Sequence, residues 1–125
     1  MFVEINPNPL RRTVGDCVVR ALCIATDSDW DTVMLELTII SLLVKDMQNS
    51  NDVWGMYLRN HGFTRDFIPN TCPDCYTIKD FAYDHPQGTY VVGTGTHAVC
   101  IKDGHYYDTA NSGDEVPAYV WKKED

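Results

Sequence analysis

At 125 residues the chain has the size of one domain and can bury a core without a disulfide or a metal to hold it. A hydrophobic share of 44 % excludes disorder. The net charge of −8, with no Lys/Arg run beyond Arg11-Arg12, argues against nucleic acid or an anionic membrane as partner, because phosphate contacts need a basic surface.

The amino terminus, Met1 to Pro9, has neither the basic region nor the apolar stretch of a signal peptide. Asn6-Pro7-Asn8-Pro9 forces extended backbone before each proline, so residues 1–14 read as an arm of turns and extended chain. Gly15 breaks the chain, Asp16 is a good N-cap, and Cys17 to Ala25 is nearly all apolar, which predicts a buried helix. Thr26 to Asp29 is a break. A second helix, from about Trp30 to Asp46, carries Val33, Leu37, Ile40 and Val44 at helical spacing, with Leu35, Ile39, Leu42 and Leu43 widening the apolar face. Asp52 to Asn60 is the third helix, stopping near Gly62.

The second half changes character. Phe63–Ile68 reads as a short strand, 69–75 as a loop, and Thr77 caps a short helix over 78–83. Strands follow at 89–93, 97–101 and 105–109, with a last one at 117–121 before a charged tail. Helices first and antiparallel strands after make an α+β domain.

Five cysteines, at 17, 23, 72, 75 and 100, are an odd number and do not form a disulfide framework. Cys23 and Cys100 sit in apolar runs and read as buried hydrophobes. Cys72-Pro73-Asp74-Cys75 lacks the strand-to-helix setting of a redox motif. Zinc would need two more ligands, and His61 and His85 stand at no motif spacing. No metal or cofactor is expected, and no run reaches the ~18 apolar residues of a membrane helix. These features predict a reduced, cytoplasmic protein, bacterial or in a virus-infected host. The oligomeric state is open.

Cys17 differs from the other four. It begins a helix, where the unpaired N–H groups and the positive dipole end favour a thiolate. A base for it is found eighty residues on. Asp103-Gly104 is a two-residue hairpin turn, which sets Lys102 opposite His105 and Ile101 opposite Tyr106. His97 and Asp108 are then diagonal neighbours on one face, about 7–8 Å apart at the backbone. The carboxylate can orient the imidazole and stabilise its charged form. If that face packs on the start of the first helix, the imidazole meets the Cys17 sulfur. Asn111 is the nearest substitute for Asp108, and Arg20, alone in an apolar helix, requires an ionic partner.

Gly15-Asp16-Cys17 opening a buried helix, Gly95-Thr96-His97-Ala98-Val99 on a strand, and Tyr107-Asp108-Thr109 after a tight turn resemble the papain-like cysteine peptidase superfamily. The compact microbial members, such as bacteriocin-leader peptidase domains and small bacterial or phage relatives, are the most similar in size. The resemblance rests on segments 11–26 and 90–110. It implies a single papain-like domain over 1–125, with the nucleophile helix packed on a C-terminal antiparallel sheet. It also implies a thiol hydrolase acting on a peptide or protein substrate, with Cys17 as nucleophile, His97 as base and Asp108 as orienter. Such peptidases usually carry an oxyanion-hole Gln about six residues before the Cys. Arg11 stands there instead, so Asn8, Arg11 and Arg12 are the alternative oxyanion or substrate contacts, with Asp16 as a weaker one. The rival expectations are a catalytically silent papain-like binding or virion-associated module, and an acyltransferase or transglutaminase-like enzyme with the same three residues.

Overall fold

The structure is a computed structural model that describes residues 1–66 and 76–124. Its elements are β1 (Phe2–Glu4), α1 (Cys17–Thr26), α2 (Trp30–Val44), α3 (Asn51–Asn60), β2 (Phe63–Asp66), α4 (Ile78–Asp84), β3 (Thr89–Gly93), β4 (Ala98–Lys102), β5 (His105–Asp108) and β6 (Tyr119–Lys123). The chain is therefore α+β, with the strands in one sheet of order β1-β5-β4-β3-β6-β2.

That sheet is mixed. The expected antiparallel set is present, but the arm contributes β1, which pairs parallel with β5. The first two strands in the chain, β1 and β2, thus form the sheet edges. The arm is short of strand signals because its paired part ends before Asn6-Pro7. Phe2 packs at a tilt against Tyr106 with ring centroids 5.6 Å apart, and Ile5 N–H donates to the Asp108 carbonyl at 2.8 Å. Both contacts fasten the end of β5.

The helix boundaries follow local chemistry. Asp29, Ser50 and Thr77 accept from the backbone N–H of Thr32, Val53 and Asp80, and Thr77 with Asp80 forms a full capping box. Asp16 precedes α1 but makes no cap bond, because its carboxylate is committed to Arg20 and Trp30.

The sheet separates two cores. On one face α1, α2 and α3 bury Leu22, Val33, Leu37, Trp54 and Tyr57 over Ala98, Cys100 and Trp121. On the other, Ile78, Phe81 and Ala82 of α4 pack with Val99, Ile101 and Tyr106. Cys23 and Cys100 are buried and free. In α2 only Val33, Leu37 and Ile40 are buried. Leu35, Ile39, Leu42 and Leu43, expected as core, are exposed. A helix on the outside of a layer meets neighbours on one face only, so the second apolar stripe stays bare. Among the described residues no helix is long and apolar enough to cross a membrane.

Candidate active site

The β4–β5 turn has the register expected of its sequence. Asp103 and Gly104 both have positive φ, 51° and 81°, as a type I′ turn requires. Lys102 pairs with His105, Ile101 with Tyr106 and Cys100 with Tyr107. His97 lies one residue before β4, at the end of a turn closed by Thr94 N–H donating to the His97 carbonyl at 2.9 Å. Gly95 within it has φ +100°, which L side chains rarely adopt. Asp108 is the last residue of β5.

His97 Nε2 and Asp108 Oδ2 are 2.5 Å apart. The other ring nitrogen, Nδ1, is left for Cys17 at the start of α1. The thiol has the His97 ring and the Ala98 backbone N–H as hydrogen-bonding neighbours. One point differs from expectation. The face bearing Val99, Ile101 and Tyr106 packs on α4, whereas α1 covers the face of Ala98 and Cys100. Cys17 and the His97–Asp108 pair nonetheless meet, because both partners sit at strand ends, where side chains reach past the sheet.

Electrostatics follow this geometry. The hydrogen bond from His97 is the main cause that lowers the Cys17 pKa, against partial burial, with help from Ala98 N–H and the Arg20 charge. His97 is pushed up to about 10, chiefly by Asp108 and then by Cys17. Burial pushes the Asp108 carboxyl up, but His97, Ser112 and Thr109 N–H together outweigh it and hold it below its ordinary value. Ser112 Oγ falls short of a full hydrogen bond, so its contribution is that of a nearby dipole. Burial instead drives the Cys23 and Cys100 thiols up to about 12. Cys17 is thus the one thiol among the described residues with its pKa lowered.

Behind the pair runs a buried polar chain. Arg20, 7 % exposed, donates to Asp16 through Nη1 and to Asp108 Oδ1 through Nη2 at 3.3 Å. Trp30 Nε1 donates to the second Asp16 oxygen at 2.9 Å. Arg20 therefore has the ionic partners its position demanded, and Asp16 faces inward to it.

The other candidates lie elsewhere. Cys17, His97, Gly95 and Thr96 line a cavity of about 190 Å³ with Asn49, Asn51, Trp54 and Tyr119. Asn8, Arg11 and Arg12 are not among its walls. Asn8 is buried, and its side-chain oxygen accepts from Leu10 N–H at 2.9 Å. Arg11 borders a separate groove with Glu4, Ile5 and Ile24, toward the far end of α1. The Arg12 carbonyl accepts from Asn6. Asp16 borders a neighbouring apolar groove with Val14, Trp30, Met34 and Met47. Asn111 fastens its own loop, accepting from Tyr106 OH and Gly113 N–H. Asn51, Trp54 and Tyr119 were not legible as site residues, because they arrive by packing of α3 and β6.

Among the described residues no group of three or more His, Cys, Asp or Glu side chains is placed to hold a metal ion. Cys72 and Cys75 lie outside the described residues. No family model, curated protein or solved structure matches the chain.

Proposed function

We propose that the chain is a papain-like cysteine hydrolase, a peptidase or amidase, with Cys17 as nucleophile, His97 as base and acid, and Asp108 as orienter. The observation that carries this reading is the His97 ring placed between the Asp108 carboxylate and the Cys17 thiol at the wall of an open cavity.

The chemistry follows from the arrangement. The proton of the thiol resides on His97, leaving a thiolate–imidazolium pair. The thiolate attacks a carbonyl carbon, and the carbonyl π pair moves onto oxygen. The Cys17 backbone N–H at the helix start faces the developing charge. As the C–N bond breaks, His97 Nδ1 delivers its proton to the departing amine. Water then attacks the thioester, His97 takes its proton, and the acid leaves. Asp108 holds the ring by Nε2 through both steps. No cofactor is needed, and the substrate class is a peptide or protein.

The test is incubation of a proteome-derived peptide library with the wild-type protein and with Cys17→Ala. New peptide termini that require Cys17 and vanish in His97→Gln are expected. Their absence, with Cys17 no more reactive than a free thiol, favours the silent binding module. Amide exchange onto added amines in place of hydrolysis favours the transglutaminase-like reading.

A further inference from the structure

We infer that Asn51 is the oxyanion donor of this site: its side-chain Nδ2–H hydrogen-bonds the substrate carbonyl oxygen as Cys17 attacks. The inference rests on the reading of Cys17 as nucleophile.

Asn51 opens α3 and lines the cavity that holds Cys17 and His97. Its Oδ1 accepts two hydrogen bonds, from Trp54 Nε1 at 3.1 Å and from Tyr119 OH at 3.0 Å. An indole N–H only donates, so the amide oxygen must be the atom turned to Trp54. The orientation of the amide is thereby set by chemistry. Nδ2, with its two hydrogens, has no hydrogen-bond partner among the described residues and is available to whatever enters the cavity.

The anchors are themselves held. Trp54 is 2 % exposed and packs on Tyr119 with ring centroids 5.9 Å apart. Arg65 lies over the Tyr119 ring at 4.5 Å. A donor fixed before the reaction stabilises developing charge without the cost of reorganisation. The upstream candidates do not compete, since Asn8, Arg11 and Arg12 are absent from the cavity. Asn49 shares it, but among the described residues no hydrogen bond holds its side chain.

An ester and an alkylating agent separate the donor from the thiolate. With 4-nitrophenyl acetate, the Cys17 sulfur–carbon bond forms, the carbonyl pair moves to oxygen beside Asn51, and the pair returns as 4-nitrophenolate leaves. Iodoacetamide alkylation is a direct displacement of iodide and generates no oxyanion. Each variant is therefore scored at pH 8.5 by its burst rate of 4-nitrophenolate divided by its own alkylation rate, with Cys17→Ala as background. Asn51→Ala and Asn51→Asp are each expected to lower this ratio by about 100- to 1000-fold. Asn51→Asp keeps an acceptor for Trp54 and Tyr119, so its thermal unfolding should stay near wild type; it exchanges the donor for a carboxylate charge, and the neutral Asn51→Ala separates the lost donor from the added charge. An unchanged ratio in Asn51→Ala overturns the inference, as does a fall in alkylation equal to the fall in acylation. A wild-type protein that is alkylated selectively at Cys17 but gives no burst overturns the acyl-transfer reading itself, and the inference with it.

Discussion

The Asp108 carboxylate serves two masters: Oδ2 lies 2.5 Å from His97 Nε2, while Oδ1 accepts from Arg20 Nη2 at 3.3 Å and Thr109 N–H at 2.7 Å. The His97–Asp108 pair and the buried ion network are joined at this one group. Asp108→Asn should release His97 from about 10 toward the 6.5 of an ordinary imidazole. With less imidazolium, the pH midpoint of Cys17 alkylation should rise. NMR titration of the His97 ring and the alkylation profile check both shifts.

Arg20 carries the other half of that junction. Arg20→Met removes the cation shared by the buried Asp16 and Asp108 and leaves Asp108 with His97 alone. Breaking a buried pair in this way costs about 3–5 kcal/mol, to be read from urea unfolding. Arg20→Lys should recover only part of it, because one ammonium cannot match a fork that spans two carboxylates.

The raised His97 pKa also predicts a stability profile. Cys17→Ser removes the thiol, leaving the imidazole with Asp108 as its partner. A group whose folded pKa exceeds its unfolded value binds its proton more tightly when folded. Its contribution is full below the unfolded 6.5 and is lost as pH rises through the folded pKa, which is about 10 with the thiol present. Thermal unfolding of Cys17→Ser should therefore decline above pH 6.5, and adding His97→Gln should flatten that decline.

Gly93 ends β3 beneath Tyr119. A Cβ built there would run into Cζ of the Tyr119 ring, so Gly93→Ala must displace the ring. Overpacking of this kind costs about 1–3 kcal/mol, measurable by urea unfolding. It should also slow the 4-nitrophenyl acetate burst, because Tyr119 OH is an anchor of Asn51.

The parts of the site readable in sequence are those set by local rules. Asp103-Gly104 dictates the turn, the turn dictates the register, and the register makes neighbours of His97 and Asp108. The start of α1 at Cys17 follows from Gly15 and the apolar run. Face assignment did not follow, because alternation loses its hold at strand ends, where His97 and Asp108 sit. The bond from Trp30 to Asp16 and the approach of Asn51 depend on how α2 and α3 pack, and no spacing encodes that. The same cause left Leu35, Ile39, Leu42 and Leu43 outside: their period marks an apolar face, not what covers it.

If His97 holds Cys17 as a thiolate, iodoacetamide alkylation followed against pH, with adducts located by peptide mapping, will report it. Cys17 should react ahead of Cys23 and Cys100, whose thiols stand at about 12. Its rate should be half-maximal below the 9.0 of an ordinary thiol, and His97→Gln should move that midpoint upward. A midpoint at or above 9.0, or one indifferent to His97, would mean that His97 does not activate Cys17.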